Sequence, residues 1–398
     1  MTDELIVFLI IAIRLVLPLL IPIFPLPTIL SLLVLDAADQ SILQKTTDLS
    51  LDDYQGYDKA LDIWYLAMAY LATIRTWTDD PAQHVGAFLW YYRLVGVVAF
   101  ELLGYRWLLM VFPNTFEYFF IAYEAIRLKW DPRRLSRRGL IGLAAFIWIV
   151  IKLPQEWWIH VAQLDFTDFM KEDVFGVPVA TPWGEAIAEN LWFVGLLAMV
   201  VVGAALVWRS QRAKVPTPDW PTTVRVADHL EPVPSDTQGA RDGILSLPTG
   251  EKVALIGLIC VIFASVLPDI DRGPLQTAVG VGLLIVANAT VSHWLTGRGV
   301  RWRSTGTQLL TMLVVNASLL WLFGTLGRAS REDLNAGALV FFTLVISLLV
   351  TLYDRFEAER EARLADGRTS SGEGRSPVET TGIGLTTPSS ARGTRHPR

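Results

Sequence analysis

Apolar stretches of about twenty residues, long enough to span the hydrocarbon core of a bilayer as an α-helix, recur along this chain and constrain its fold more than any other feature. Lipid offers no partners for backbone N–H and C=O groups, so stretches of this kind form helices and not open strands. Charged residues make up only 18% of the chain, below the roughly 25% typical of soluble domains. The pattern predicts an all-α, polytopic integral membrane protein.

The sequence contains ten candidate membrane spans in a six-helix plus four-helix arrangement. A Pro-rich polar stretch after the sixth span, predicted to be a cytoplasmic linker (209–250), separates an N-terminal membrane module (1–208) from a C-terminal one (251–354). Residues 355–398 are expected to form a tail that is first charged and then disordered, because Ser, Thr, Gly and Pro cannot build a core. The ten spans cover residues 4–35, 57–77, 84–104, 106–127, 138–160, 187–208, 251–268, 275–296, 307–327 and 334–353.

The first of these spans is unusual because four prolines crowd its middle. Each proline lacks a backbone donor and disturbs the preceding helical turn. Three structures remain open for residues 4–35: one kinked or tilted helix, a discontinuous helix of the kind that holds substrates in secondary transporters, or an interfacial helix followed by one span. The prolines are Pro18, Pro22, Pro25 and Pro27.

Basic loops set the predicted orientation. Six Lys or Arg lie in residues 127–138, and further basic stretches follow the sixth and eighth spans. The positive-inside rule places such loops in the cytoplasm. Ten crossings then put both termini inside the cell, with the acidic loops 36–57 and 161–186 outside, in a multi-pass protein of the plasma membrane.

Charge and motif content argue against several classes of function. The net charge of −5 argues against nucleic acid as a partner, because nucleic-acid-binding domains carry basic patches. The single cysteine, Cys260, allows neither a disulfide framework nor a Cys-x-x-Cys site. Phosphate-binding and hydrolase motifs of soluble enzymes are also missing from the sequence. The expected partners are the lipid bilayer and a small solute, an ion or a lipid-linked substrate.

Ionisable residues inside the predicted spans are candidates for a functional role, because a charge in the membrane is costly and faces the protein interior. Arg93 and Glu117 lie at about equal distances on either side of the turn near Gly104, and antiparallel helices of equal rise place them at one depth. We therefore predict an ion pair between them, which either fixes helix register or lies on a transport path. The other intramembrane charges are Arg14, Glu101, Glu124 and Lys152.

A second set of candidates lies at the predicted outer face. The acids in each of two pairs share a helical face, because they are three or four residues apart. Glu156 and His160 follow at the end of the fifth span and form a polar stripe, which we expect to turn inward toward Asp58 and Asp62. Trp157 and Trp158 are expected to anchor the same helix at the interface. These side chains could form a cation or proton site, with a divalent cation as one option, or they could be solvated structural groups. The paired acids are Asp36 with Asp39 and Asp58 with Asp62.

Three functions fit these features. A secondary transporter or ion-coupled permease agrees best with the buried charges and the Pro-rich first span. The first alternative is a membrane-embedded enzyme that uses the outer carboxylates and His160, with or without a metal, on a lipid-linked substrate. The second alternative is a non-catalytic scaffold or assembly factor. A water-accessible cavity that reaches Arg93 and Glu117 would favour transport. Convergence of the four outer aspartates with Glu156 and His160 within about 5 Å of a common point, as metal ligation requires, would favour the enzyme. Neither feature would favour the scaffold.

Overall fold

Every regular element that the structure describes is helical, which confirms the all-α prediction. The helices in chain order are α1 (Thr2–Val16), α2 (Pro25–Thr46), α3 (Leu51–Thr76), α4 (Asp80–Leu103), α5 (Trp107–Val111), α6 (Thr115–Arg127), α7 (Arg137–Phe146), α8 (Leu153–His160), α9 (Phe166–Asp168), α10 (Trp183–Glu189), α11 (Leu191–Gln211), α12 (Leu247–Val266), α13 (282–288), α14 (Thr305–Leu326) and α15 (Ala336–Gly372). The computed structural model describes residues 2–46, 51–164, 166–225, 247–266, 280, 282–288, 290–291, 305–326 and 336–372.

Within these residues, four helical stretches are long and apolar enough to cross a membrane. They correspond to the third, fifth, sixth and seventh predicted spans. The eighth span, 275–296, and the predicted tail beyond residue 372 lie mostly or wholly outside the described residues. The four stretches are Asp80–Leu103, Arg137–His160, Leu191–Lys214 and Leu247–Ser265.

The predicted first span, 4–35, is two helices and not one. α1 ends at Val16, a 3₁₀ turn covers Leu17–Leu20, and α2 begins at Pro25 and packs back against α1. Proline has no N–H to donate, so it interrupts a helix interior but is tolerated in the first turn of a new one. α2 also continues past the apolar stretch as far as Thr46, which provides the length that the apolar residues alone do not offer. The expectation of a single span is corrected to a helical hairpin.

The fourth and fifth predicted spans are each interrupted at a proline. Residues 106–127 form the short helix α5 and then α6, with a break at Phe112–Asn114 around Pro113. Between α7 and α8, residues Ile147–Lys152 form a π-helical segment. Pro154 cannot donate to the preceding turn, and a wider turn just before it accommodates the missing bond. Both interruptions lie beside residues of the candidate site.

α3 is the central helix. Only Asp62 and Arg75 escape burial between Ala60 and Trp77, and α3 packs against α1, α2, α4, α12 and α15. Rings from both sides of the linker meet in one hydrophobic core, as where Trp64 meets Phe263 edge-on at 6.3 Å. Among the described residues, the first helix, α1, and the last, α15, are therefore held together around α3.

The helices after the linker are joined by a buried polar ladder. Asn288 of α13 donates to Asn316 of α14, and Asn316 donates to Ser347 of α15 at 2.8 Å. All three side chains are fully buried. The glycosylation sequons that begin at Asn288 and Asn316 thus use their asparagines for helix packing, because a buried amide needs hydrogen-bond partners.

Candidate functional site

Arg14 lies at the centre of a cluster of four aspartates. Its guanidinium nitrogens are 2.5 Å from Asp39 and Asp58, 2.6 Å from Asp36 and 2.7 Å from Asp62. Three helices supply the cluster: α1 carries the arginine, and α2 and α3 carry two acids each. The predicted outer acids thus converge, and their common partner is a residue that the sequence placed in a separate group.

The positions of these residues follow from the hairpin and from helical periodicity. Arg14 and Asp36 are each eleven residues from Pro25, so a fold near that proline brings them opposite each other. In α2, Asp39 lies one turn after Asp36, and in α3 Asp62 lies one turn after Asp58. Acids at these spacings share one face. The single cation is therefore surrounded by carboxylates from two directions.

The aspartates differ in their access to the surface. Arg14 and Asp39 are each 2% exposed at the side chain, whereas Asp36, Asp58 and Asp62 are 31%, 37% and 34% exposed. Oxygens of these last three carboxylates lie within 4.8 Å of one another. Such a trio can supply the oxygen ligands that Mg²⁺ or Ca²⁺ prefers, while Arg14 and Asp39 form a buried pair behind it.

Glu117 is the centre of a second polar cluster, and its charged partner is Lys152, not Arg93. The Glu117 carboxylate accepts hydrogen bonds from Tyr65 at 2.6 Å and from Asn114 at 2.8 Å, and it lies 3.9 Å from the Lys152 Nζ. Arg93 instead donates to the backbone carbonyl of Phe112 at 3.0 Å. The predicted Arg93–Glu117 ion pair is therefore wrong.

The two chain interruptions explain this difference. The depth comparison assumed continuous helices with a constant rise per residue, but the break at Phe112–Asn114 lies between the turn and Glu117. Arg93 is consequently level with Phe112, five residues before Glu117. The π-helical segment ends at Lys152 and brings this side chain toward Glu117. π-Helical turns are frequent at functional sites, and this one positions a buried lysine.

Glu156 and His160 belong to this second cluster and not to the aspartate cluster. The His160 Nε2 is 3.0 Å from Glu156, and the other Glu156 oxygen accepts from the backbone N–H of Asn114 at 3.2 Å. Glu156 is 5% exposed, and the neighbouring Trp157 is 50% exposed. The predicted polar stripe does turn inward, but it meets the segment before α6 and not Asp58 or Asp62.

The two remaining acids of the predicted spans, Glu124 and Glu101, have hydrogen-bond partners nearby. Glu124 accepts from the Trp77 indole at 2.7 Å and lies 3.4 Å from Arg127. Glu101 accepts a hydrogen bond from Ser265 at 3.3 Å. The structure thus uses Glu124 to pin an aromatic residue and places Glu101 away from both clusters.

Sequence reasoning missed two residues of the site. Tyr65 follows Asp62 by one turn of α3, so it connects the two clusters along one helix, but a tyrosine in an apolar run gives no signal of its own. Asn114 bonds with both Glu117 and Glu156, through its side chain and its backbone. The position of Asn114 directly after Pro113 could have indicated such a role, because a proline interrupts the helix and leaves neighbouring backbone N–H groups without helical partners.

Comparison with protein-family models, with curated proteins and with solved structures finds no match to this chain.

Proposed function

We propose that this chain is a membrane-embedded enzyme that depends on a divalent cation and acts on a lipid-linked substrate. The observation that carries the proposal is the convergence of four aspartates from α2 and α3 on one arginine, with three carboxylates within 4.8 Å. Four of the six outer residues thus converge, without Glu156 and His160, and this partial convergence favours the enzyme over the transporter and the scaffold.

The charge balance of the cluster calls for a cation. Among the described residues, one guanidinium faces four carboxylates, so the cluster carries three excess negative charges when all four are ionised. Two like charges 4.8 Å apart repel each other by about 3 kcal/mol at an effective dielectric constant of about 20. A divalent cation held by Asp36, Asp58 and Asp62 would remove most of this repulsion, and Arg14 would keep Asp39 in place.

The surroundings favour a substrate that comes from the membrane. α1 exposes large apolar side chains along its length, including Ile13 and Val16 on either side of Arg14 in sequence, so lipid can approach the carboxylates laterally. A bound divalent cation polarises carbonyl or phosphoryl oxygens as a Lewis acid. Asp36, Asp58 and Asp62 reach the surface and would present the cation to such a head group.

Thermal stability in the presence of cations tests the proposal. A cation that binds only the folded state raises the melting temperature, so Mg²⁺ or Mn²⁺ should stabilise the purified full chain. The Asp58→Asn/Asp62→Asn variant should lose this effect. Glu172→Gln/Asp173→Asn, which changes two exposed acids of the predicted outer loop, is the matched control and should keep it. An equal response in both variants would refute the site.

Ion-coupled transport is the second candidate, and the Glu117 cluster is the observation in its favour. Tyr65, Glu117 and Lys152 form a buried chain of proton-exchanging groups one helical turn from Asp62. The aspartates of the first cluster can bind protons or Na⁺ instead of a divalent cation. Stabilisation by Na⁺ or by acid pH, with none by divalent cations, would favour transport.

The ten-span layout in the plasma membrane is part of this proposal, with one change at the N-terminus. Arg75 donates to the Pro22 carbonyl at 3.1 Å, and it lies thirteen residues after Asp62, or about 20 Å along α3. The hairpin turn is thus near the opposite end of α3 from the aspartates. If the basic loops and the C-terminus are cytoplasmic, the extra crossing places Thr2 outside, on the side of Asp36. This placement also removes an acidic N-terminus from the cytoplasmic side.

A further inference from the structure

Residues 127–138 and 209–225 form a second distinctive surface, which we call the basic platform. These two segments contain ten Lys or Arg and two Asp. Nine of the basic side chains are exposed, and Arg127 is buried. The exposed ones are Lys129, Arg133, Arg134, Arg137, Arg138, Arg209, Arg212, Lys214 and Arg225.

Specific bonds hold the two segments of the platform together. The Trp130 indole donates to the Pro216 carbonyl at 2.9 Å, and the Trp220 indole donates to the Arg127 carbonyl at 3.0 Å. Asp219 lies 2.5 Å from Arg134, and its backbone N–H donates to the Lys129 carbonyl at 2.9 Å. The cationic side chains are therefore presented by a tied structure and not by two independent loops.

The two acids of the platform are already engaged. Partial burial acts to raise the pKa of Asp131, but hydrogen bonds from Arg133 outweigh it and lower that pKa below its usual value. Asp131 thus stays ionised beside Arg133, and Asp219 forms an ion pair with Arg134. Arg137 and Arg138 have no ion pair among the described residues, so their charges are available to an external anion.

Lipid-facing helices rise directly from this surface. Arg137 begins α7 and Gln211 ends α11, and both helices belong to candidate membrane spans. No residue of α11 is buried, and its last turns expose Val207 and Trp208, as α7 exposes Ile141. Acyl chains that cover these side chains would have their head groups at the depth of the platform.

We propose that the basic platform binds the head groups of anionic phospholipids in the leaflet around α7 and α11. Its positive charge complements a phosphate-bearing, net negative head group, and arginine is suited to phosphate by its planar fork of donors. Clusters of Lys and Arg next to a membrane helix bind anionic lipids for the same reason. The platform's position under lipid-exposed helices favours this partner over a soluble nucleic acid or an acidic protein.

Lipid selectivity of the reconstituted full chain tests the proposal. Spin-labelled phosphatidylglycerol and phosphatidylcholine are added in turn to phosphatidylcholine vesicles that contain the protein, and the motionally restricted fraction is measured by electron paramagnetic resonance. Phosphatidylglycerol should be preferred, and 0.5 M NaCl, about 4 Å in Debye length, should abolish the preference. Equal restricted fractions for the two lipids in the wild-type protein would overturn the proposal.

Three variants locate the binding surface. Arg137→Gln/Arg138→Gln should lower the relative association constant by about fivefold or more, the equivalent of one cation near an anionic surface. Arg106→Gln is the control. It changes an exposed arginine between α4 and α5, at the end of α4 that is farther from the platform, and it should leave lipid selectivity unchanged. Trp130→Phe/Trp220→Phe keeps every charge but removes both indole bonds and should also weaken the preference. Loss in Arg106→Gln as large as in the double arginine variant, or no effect of the tryptophan substitutions, would contradict a tied platform.

Discussion

The ion pair between Glu117 and Lys152 gives a quantitative prediction. From the sequence alone, the same prediction would have been made for Arg93 in place of Lys152. Both side chains are 4% exposed, and their charged atoms are 3.9 Å apart. At that distance the Coulomb attraction is about 4 kcal/mol for an effective dielectric constant of about 20. Removal of one partner strands the other charge in an apolar bundle, so Lys152→Met and Glu117→Gln should each destabilise the protein by about 3–5 kcal/mol.

A double-mutant cycle separates this pair from its neighbours. The Lys152→Met/Glu117→Gln protein should be less destabilised than the sum of the single variants by about 2 kcal/mol, because the double change leaves no unpaired charge. Glu117→Gln keeps an oxygen that can accept from Tyr65 or Asn114, so the coupling reports mainly on charge. The assay is unfolding of the purified protein in detergent, followed by tryptophan fluorescence.

The matched cycle uses Arg93→Met with the same Glu117→Gln change. Arg93 bonds to the Phe112 carbonyl and acts on Glu117 less strongly than Lys152 does, so the coupling in this cycle should be clearly smaller than in the Lys152 cycle. Strong coupling to Arg93 together with additivity for Lys152 would refute the reasoning, because it would restore the pairing that continuous helices imply.

Two further predictions follow from the packing and the hairpin. A Cβ atom on Gly96 would lie 2.1 Å from the Phe112 Cβ, so Gly96→Ala should destabilise the protein by about 1–3 kcal/mol through overpacking. A Cβ atom on Gly142 meets nothing within 4 Å, so Gly142→Ala should be neutral or stabilising by up to about 1 kcal/mol. Denaturant unfolding of the two variants measures the difference. The native Cys260 is buried and should not react with an impermeant thiol reagent. A cysteine at Thr2 should react with this reagent in intact cells, and a cysteine at Arg212 should not. The same result at both positions would argue against the extra crossing.

The sequence predicted the all-α fold, four helices that are long and apolar enough to cross a membrane, and the shared faces of the acids, because all three depend on local information. Apolar length identifies membrane helices, and spacing places Asp36 with Asp39 and Asp58 with Asp62 on shared faces. The partners of these acids depend on where the chain turns. Arg14 reaches them only because the hairpin forms near Pro25, and four nearby prolines did not single out that position.

The second cluster shows the same limit more sharply. Equal counts of residues on either side of Gly104 suggested that Arg93 meets Glu117, but counting measures depth only along uninterrupted helices. The break at Phe112–Asn114 and the π-helical segment Ile147–Lys152 each change the rise and the rotation per residue. Their effect is to exchange Arg93 for Lys152 as the partner of Glu117, which no local pattern indicated.

Direct counting of bound Mn²⁺ tests the central claim, that Asp36, Asp58 and Asp62 hold a divalent cation beside Arg14. Free Mn²⁺ gives a sharp six-line electron paramagnetic resonance spectrum that is lost on binding, so titration of the purified full chain yields stoichiometry and affinity. The account predicts saturable binding that Mg²⁺ displaces, with the site on the aspartate cluster lost in Asp58→Asn/Asp62→Asn and kept in Glu172→Gln/Asp173→Asn. Absence of saturable binding in the wild-type protein, or the same stoichiometry in both variants, would contradict it.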